Sequence, residues 1–182
     1  QVLKEQPAVR NFFAECIYAV LGRVWPEKFN WVVGADTSST DLAKEIARIA
    51  GISHIPMKKT EDEQGKRQVW DGFFPLRDEE TILHIEELLT TSSSALQVRE
   101  GIRRANPGVK INFVPFLPVV VERSDPDNRI TYVEKSKVLP LLQLNIRNFK
   151  PGPNTCPYCA VGSQAIKPKQ GDNWSKLTEG RI

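Results

Sequence analysis

Helical periodicity is the first pattern in the chain. Six apolar residues recur at intervals of three or four positions, namely Phe12, Phe13, Cys16, Ile17, Val20 and Leu21. This spacing predicts an amphipathic helix that packs one face into the core and ends near Gly22 and Pro26. The short apolar run at 31–33 predicts a buried strand. A second helix then follows, with Leu42, Ile46 and Ile49 on one face, and Gly51 ends it.

Strands and helices continue to alternate. The sequence predicts strands at 52–57 and 81–85, with a polar loop, "KKTEDEQGKRQ" (58–68), between them. A helix follows, with apolar positions Ala95, Val98, Ile102 and Ala105, and then an apolar strand within 110–122. This alternation predicts an α/β fold, with a mostly parallel sheet flanked by helices on both faces. In such sheets, ligands bind beyond the carboxyl ends of the strands.

Prolines divide the remainder of the chain. Pro115 and Pro118 indicate that the strand within 110–122 is irregular or lies near a sheet edge. After Pro140 the chain is rich in Pro, Gly and Lys, which predicts a covering tail. We therefore expect one domain at 1–150, including the N-terminal helix, and a tail with a CxxC motif at 151–182.

Composition and charge narrow the class of protein. With 182 residues and 40% hydrophobic composition, the chain is long enough for one well-packed core. A net charge of +3 gives no support for an electrostatic nucleic-acid binder. The longest apolar stretch is interrupted by Glu15 and Arg23 and is too short to span a membrane. Three cysteines and no secretory leader favour a cytoplasmic protein.

Two strand-to-helix junctions carry candidate chemistry. They read "VVGADTSSTDLA" and "HIEELLTTSSSALQ", and each places a run of hydroxyl residues at the start of a helix. We call residues 34–40 the first loop and residues 90–94 the second loop. Unpaired N–H groups and the helix dipole favour an anion at such positions, so the two loops together could hold two phosphates. The alternative is that Ser39 or Thr40, and Ser93 or Ser94, are simply N-caps.

Two adjacent acids precede the second loop. The repulsion between the like charges of Glu86 and Glu87 costs free energy unless a metal, a cationic ligand or hydroxyl donors bind the carboxylates. Because neighbouring strand residues point to opposite faces, we expect one acid to face a ligand and the other to brace the loop. Carboxylates accept hydrogen bonds from a vicinal diol, and Mg²⁺ bridges nearby oxygens. A phosphorylated sugar fits this combination of groups.

An apolar strand followed by two acids, two apolar residues and Thr-Thr resembles the phosphoribosyl pyrophosphate (PRPP) motif of type I phosphoribosyltransferases. The resemblance implies a Mg²⁺-dependent glycosyltransferase of nucleotide metabolism that forms a homodimer and binds PRPP and a nucleobase. It implies that Glu86 and Glu87 hold the ribose hydroxyls and, directly or indirectly, the metal. It assigns the 5′-phosphate to Thr90, Thr91, Ser92, Ser93 and Ser94. It assigns the pyrophosphate to Gly34, Asp36, Thr37, Ser38 and Ser39.

Two further stretches are similar to the orotate branch of this family. "VVVERSDP" resembles a strand that ends in an acid and an arginine, which implies that Arg123 binds the carboxylate of orotate with Thr90 beside the base. "CPYCAVGSQAIKPK" resembles the tail of some bacterial orotate phosphoribosyltransferases. The implied reaction transfers phosphoribose from PRPP to orotate in pyrimidine biosynthesis. Glu87 and a mobile loop at 58–68 would be catalytic, the loop contributing Lys58, Lys66 and Arg67.

Departures from the family pattern leave a second hypothesis open. Orotate enzymes usually carry Lys-x-x-Lys-x-His-Gly in the mobile loop, whereas this chain has Glu61 at the second lysine and no histidine before Gly65. Serines replace the glycines expected in both phosphate loops, and a Cβ limits close approach of a phosphate. A non-catalytic PRPP or nucleotide sensor, or a degenerate paralogue, would keep the acids and hydroxyls without the catalytic lysines.

The CxxC pair has three alternative interpretations. Cys156 and Cys159 could supply half of a four-ligand zinc site completed by a second chain, form a glutaredoxin-like redox motif, or remain thiols or a tail disulfide. A zinc or redox interaction module is therefore a third hypothesis for the protein. Cys16 fits a buried helix face, and the pattern favours structural roles for His54 and His84 in their strands.

Overall fold

The structure is a computed structural model that describes residues 2–62, 65–72, 75–147, 149–150, 152–163, 171–173 and 175. The chain divides into two compact units, Gln1–Arg147 and Asn148–Ile182. Every element around the candidate site lies in the first unit. Among the described residues, no helix combines the length and apolarity needed to cross a membrane.

Among its described residues, the first unit has four α-helices, which are α1 (Val2–Glu5), α2 (Pro7–Val24), α3 (Ser38–Ala50) and α4 (Ser93–Ala105), and a short 3-10 helix at Pro126–Asn128. The three longer ones confirm the helices predicted from apolar periodicity. The buried face of α2 consists of Ala14, Ile17 and Leu21, whereas Phe12 is exposed. Helix α3 ends at Gly51, whose φ of 69° lies in the left-handed region that glycine adopts readily.

In the described part of this unit, ten strands form the sheets. They are β1 (Trp31–Val33), β2 (Ser53–Ile55), β3 (Met57–Asp62), β4 (Gly65–Trp70), β5 (Thr81–His84), β6 (Glu86–Leu89), β7 (Asn112–Phe113), β8 (Phe116–Glu122), β9 (Tyr132–Val133) and β10 (Ser136–Gln143). One sheet has the order β2-β1-β5-β7 and is parallel throughout. A second sheet has the order β6-β8-β10-β9, with only β9 antiparallel, and β3 and β4 form a separate two-stranded sheet.

The two four-stranded sheets continue into one another along two chain segments. Strand β5 passes through Ile85 into β6, and β7 passes through Val114 and Pro115 into β8. The ladder is maintained at both junctions, because the N–H of Ile85 donates to the carbonyl of Val33 and that of Val114 to Ile82. The candidate acids thus lie where the first sheet continues into the second.

Apolar side chains pack on both faces of the first sheet. On one face, Val32 and Leu83 join the buried positions of α2 and α3. On the other, Val33 and Ile82 pack with Val98 and Ile102 of α4. The mostly parallel sheet flanked by helices is therefore confirmed, and so are the buried strands at Trp31–Val33 and Thr81–His84.

Segment 58–68 was predicted as a loop, and this prediction was wrong. Strands β3 and β4 form an antiparallel hairpin whose register pairs Lys58 with Val69 and Glu61 with Lys66. The hairpin packs against α4 at Gly101, where a Cβ would lie 2.3 Å from the carbonyl oxygen of Gln68. Polar composition hid these strands because they pair with each other at the surface and lack an alternating apolar pattern.

The proline-rich segments also differ from expectation. Irregularity at Pro115 is confirmed, since it separates β7 from β8, but β8 lies between β6 and β10 and is not an edge strand. The chain after Pro140 is not yet a tail, because β10 continues to Gln143 and the N–H of Leu144 donates to the carbonyl of Glu122. In the second unit, Pro157–Ala160 forms the short helix α5.

Candidate active site

The two adjacent acids have different environments. Glu86 is only 3% exposed, and both of its carboxylate oxygens are engaged: Oε1 lies 3.1 Å from His84 Nε2 and Oε2 accepts from Ser39 Oγ at 3.1 Å. Glu87 is half-buried, and its backbone N–H donates to Ser39 Oγ at 2.9 Å. Glu86 therefore braces the interior, while Glu87 lines a cleft described below.

Ser39 links the first loop to the acids. Its hydroxyl donates to Glu86 and accepts from the Glu87 N–H, and Thr37 Oγ1 lies 3.3 Å away. The close approach of β1 to α3 depends on Gly34, where an added Cβ would lie 2.4 Å from the Ser39 carbonyl oxygen. The Ser39 hydroxyl thus connects the first loop to Glu86 and Glu87, which lie 47 and 48 positions further along the chain.

The first loop satisfies much of its own hydrogen bonding. Thr37 is the N-cap of α3, and its side chain accepts from the Ser39 N–H at 3.2 Å. Thr40 Oγ1 donates to the Ala35 carbonyl at 2.8 Å. The first loop therefore contains an N-cap, but the cap is Thr37, so the alternative that named Ser39 or Thr40 was wrong. Ser38 is buried, so its side chain does not extend into solvent.

The β3–β4 hairpin contacts the first loop through Asp36. The Asp36 N–H donates to Gln68 Oε1 at 2.9 Å, and Asp36 Oδ2 accepts from the Lys59 N–H at 2.8 Å. Lys58 is exposed and Arg67 is half-buried, and neither lines the cleft. Lys66 belongs to β4, but its side chain lies outside the described part of the structure.

The second loop leaves its hydroxyl groups open. Helix α4 begins at Ser93, and the N-cap residue Ser92 makes no side-chain capping bond. Within the part of the chain that the structure describes, no side chain of residues 90–94 makes a hydrogen bond. Capping by Ser93 or Ser94 was therefore a wrong alternative. Their hydroxyls lie at the positive end of the α4 dipole, where an anion is favoured.

A cleft of about 250 Å³ brings the two loops and the acids together. It is lined by Ala35, Thr37, Ser39, Glu86, Glu87, Leu88, Thr90 and Ser94. Six of these are residues that the sequence assigned to PRPP. Of the other assigned residues, Gly34 lies behind the lining, Asp36 is turned towards the hairpin, and Thr91 and Ser93 are exposed.

Arg123 lies beside Thr90, at the carboxyl ends of two adjacent parallel strands. Its N–H donates to the Leu89 carbonyl at 2.9 Å, directly after β8. The Arg123 Nε is buried and has no partner among the described residues. The preceding acid, Glu122, is structural: it accepts hydrogen bonds from Ser124 and Arg129, which outweigh burial and lower its pKa.

Sequence reasoning missed a buried arginine behind the acids. Arg99 is 1% exposed, and its Nε donates to His84 Nδ1 at 3.3 Å. Burial lowers the pKa of His84 and opposes the hydrogen bond to Glu86, which would raise it. The signal in the sequence was that Arg99 follows Ala95 by one helical turn and therefore lies on the apolar face of α4.

The sequence assigned metals to the two acids and to the tail cysteines. Within the described residues, no group of three or more His, Cys, Asp or Glu side chains could hold a metal ion. Cys156 and Cys159 are both free thiols. A hydrogen bond donated by the backbone N–H of Cys159 lowers the pKa of the Cys156 thiol. Cys16 is half-buried. Zinc at the CxxC pair stays a prediction, as does Mg²⁺ at the acids.

Comparisons with known proteins find relatives named orotate phosphoribosyltransferase. No family model matches the chain. It is 33% identical over 119 residues to the orotate phosphoribosyltransferase of Chlorobium phaeobacteroides, covering 65% of this chain and 54% of that protein. It is 27% identical over 140 residues to the orotate phosphoribosyltransferase of a Nitratiruptor species, covering 71% and 63%. The chain thus spans less than two thirds of the length of these relatives.

Solved structures show the same fold at low sequence identity. Leishmania donovani UMP synthase superposes with a TM-score of 0.56 at 16% identity, covering 98% of this chain and 34% of that one. Adenine phosphoribosyltransferase from Rhodothermus marinus superposes with a TM-score of 0.53 at 16% identity, covering 71% and 78%.

Proposed function

From its type I phosphoribosyltransferase fold and its sequence similarity to orotate phosphoribosyltransferases, we propose that this chain binds PRPP and transfers phosphoribose to orotate. The observation that carries the proposal is the cleft in which Glu87, Ser39 and the open second loop meet. A phosphorylated sugar needs carboxylates for its hydroxyls and N–H and O–H donors for its phosphate, and the cleft offers both.

Each end of PRPP has its own set of partners. Glu87 accepts hydrogen bonds from the ribose hydroxyls at the cleft wall. The second loop binds the 5′-phosphate at the start of α4, where its hydroxyls have no competing partner among the described residues. The first loop contacts the pyrophosphate with Thr37 and with backbone N–H groups. Its internal hydrogen bonds hold it in place before the ligand arrives.

Mg²⁺ fits this donor set. Magnesium prefers oxygen ligands and is usually held by one or two carboxylates together with substrate phosphates and water. Glu87 would hold the ion, and Glu86 would act on it only indirectly, because both of its oxygens already have partners. The bound ion would offset the negative charge that grows on the departing pyrophosphate.

Arg123 selects the acceptor. A guanidinium can make two parallel hydrogen bonds to a carboxylate, and the buried Arg123 Nε has no partner among the described residues. Its backbone N–H bonds Leu89, the residue before Thr90, and Thr90 lines the cleft. The cations of the hairpin, Lys58, Lys66 and Arg67, would close over the pyrophosphate and exclude water. The active assembly we propose is a homodimer.

One observation favours a second candidate, a non-catalytic PRPP sensor. Glu61 lies opposite Lys66 in the hairpin register, where the family pattern has a further lysine. An acid at this position reduces the positive charge that the hairpin can bring to the pyrophosphate. A sensor would bind PRPP in the same cleft without turnover.

Calorimetry with PRPP and Mg²⁺, followed by orotate consumption in the same samples, tests the proposal. We expect binding and turnover. Glu87→Gln should lower donor affinity about tenfold or more, since it removes an acceptor with full charge. The matched control is Glu100→Gln, an exposed acid that pairs with Arg104 on α4 and should leave the affinity unchanged.

Arg123→Ala separates the acceptor from the donor. It should raise the KM for orotate about tenfold and leave PRPP affinity intact, while Arg147→Ala, at an exposed arginine, should change neither. Binding without turnover would favour the sensor. Absence of PRPP binding to the unmodified protein would overturn both candidates.

A further inference from the structure

We propose that His84 and Arg99 are positioning residues for the candidate site, forming a buried hydrogen-bond relay that fixes Glu86, Ser39 and the backbone of Glu87. This inference deepens the proposed function, on which it rests for its meaning in ligand binding. Neither residue lines the cleft. Both act through Glu86.

The direction of each hydrogen bond in the relay follows from arginine chemistry. A guanidinium only donates, so the contact of 3.3 Å between Arg99 Nε and His84 Nδ1 requires Nδ1 to accept. The proton of the neutral imidazole must then be on Nε2, which donates to Glu86 Oε1 at 3.1 Å. One contact thus selects the tautomer, and the tautomer supplies Glu86 with a donor on its buried side.

The arginine is itself held from several directions. Its Nη1 donates to the Val133 carbonyl at 3.1 Å and to Glu134 at 3.0 Å, and its Nη2 donates to Ser136 Oγ at 2.8 Å. Its guanidinium also lies 4.5 Å from the centre of the Phe113 ring. With these partners, Arg99 has little freedom to turn its Nε away from His84.

Glu134 anchors the outer end of the relay. Its carboxylate receives two bonds of 2.7 Å from Arg103 in addition to the bond from Arg99. Hydrogen bonds from Arg103 and Arg99 outweigh burial and lower the pKa of Glu134 to about 2, so it is ionised at neutral pH. It lies in the turn between β9 and β10 with a φ of 52°, a strained value for a residue with a side chain.

The inner end of the relay reaches the candidate site. Glu86 Oε2 accepts from Ser39 Oγ, and Ser39 Oγ in turn accepts from the Glu87 N–H. If Glu86 loses its donor from His84, its carboxylate can rotate and the Ser39 hydroxyl can follow. The backbone of Glu87 then loses a fixed partner next to the cleft.

The tautomer can be measured in the unmodified protein. The chain has two histidines, so ¹⁵N-histidine NMR with a His54→Gln variant assigns the His84 ring without altering the relay. We expect a protonated Nε2 and an unprotonated Nδ1 near pH 7. An Nδ1–H tautomer or an imidazolium would overturn the relay, whether or not the protein binds PRPP.

Two substitutions at His84 test the positioning role. Glutamine can accept from Arg99 and donate to Glu86, whereas leucine can do neither. His84→Leu should therefore accelerate hydrogen exchange of the Glu87 amide and lower PRPP affinity roughly 10–100-fold, the range for lost supporting partners of binding groups. His84→Gln should restore most of both.

Two readouts separate this proposal from the proposed function. If the unmodified protein fails to bind PRPP, the proposed function fails, but the tautomer and the Glu87 exchange rates still decide the relay. If His84→Leu does not fold, the glutamine variant and the tautomer remain decisive. Equal Glu87 exchange in the leucine, glutamine and unmodified proteins would contradict the positioning role.

Discussion

The first and second loops of the candidate site are alike in sequence but opposite in structure. The first loop is closed on itself: Thr37 caps α3, Thr40 bonds Ala35, and Ser39 bonds Glu86. In the second loop, no side chain makes a hydrogen bond within the described residues. Similar runs of hydroxyl residues therefore have different roles. The hydroxyls of the first loop are held by hydrogen bonds, whereas those of the second loop have no partner among the described residues and can donate to a ligand.

What separates the loops is a partner from elsewhere in the chain. Ser39 meets a buried carboxylate 47 positions away, which fixes its hydroxyl. The hydroxyls of residues 90–94 face no such group among the described residues. Substitutions in the first loop should therefore change stability, and substitutions in the second loop should change ligand affinity.

The largest effect is expected at the base of the first loop. Gly34→Ala places a Cβ 2.4 Å from the Ser39 carbonyl oxygen, a backbone atom that cannot simply rotate away. We expect the free energy of unfolding to fall by about 3 kcal/mol in urea titrations. Gly22→Ala, which meets nothing within 4 Å in α2, should instead raise it by about 0.5–1 kcal/mol. Equal effects at the two glycines would contradict the close packing of β1 and α3.

Removing the Ser39 hydroxyl tests the closed loop more finely. Ser39→Ala leaves a buried Glu86 oxygen without its donor and the Glu87 N–H without its acceptor. Unfolding free energy should decrease by about 2 kcal/mol. Ser93→Ala, an exposed hydroxyl in the second loop, should stay within about 0.5 kcal/mol of the unmodified protein. A similar loss in both variants would remove the distinction between the loops.

The open loop should respond in affinity instead. Ser94 lines the cleft and has no hydrogen-bond partner among the described residues. Ser94→Ala should weaken PRPP binding about tenfold in calorimetry, equivalent to about 1.4 kcal/mol, and leave the melting temperature unchanged. A drop in melting temperature without an affinity change would show that this loop is structural as well.

The last and smallest effect is expected in the pH dependence of stability that His84 contributes. Burial lowers the pKa of His84 in the folded chain. Below about pH 6.5, His84 therefore binds a proton in the unfolded chain while it is still neutral in the folded chain. Stability from this group is complete above that pH and decreases as pH falls, by at most about 1.4 kcal/mol per pH unit. Because burial also lowers the pKa of His54, urea titrations should compare His54→Gln with the double variant His54→Gln/His84→Gln, and only the double variant should lack this slope. If the double variant keeps the slope of the His54→Gln protein, His84 is not the titrating group.

Much of the fold could be predicted because its signals are local. Helical spacing in α2, α3 and α4 and short apolar runs in β1 and β5 each appear within a few residues. The hairpin β3–β4 could not be found in this way, since its strands are paired charged segments such as Glu61 opposite Lys66. Strand β10 was not predicted because it contains Pro140. In the structure, Pro140 lies within β10 and pairs with Val119 of β8.

The site was partly readable for the same reason. The acids and the second loop form one continuous motif, and Arg123 follows directly from the end of a strand. The contact between Arg99 and His84 joins α4 to β5 and depends on how the helix packs on the sheet. A local pattern can place each residue on a face, but only the tertiary structure brings the two together.

The order of the strands also bears on when the site forms during folding. Glu86 and Glu87 lie on β6, and among the described strands only β8 pairs with it, through residues 33 positions further along the chain, such as Val119 opposite Glu86. Strand β8 in turn pairs with β10, which ends at Gln143. Loop-closure entropy makes such distant parallel pairing slow. On a ribosome, the hydrogen bonds within the first loop can form early, whereas Ser39 and the two acids would be fixed only after most of the first unit has been synthesised.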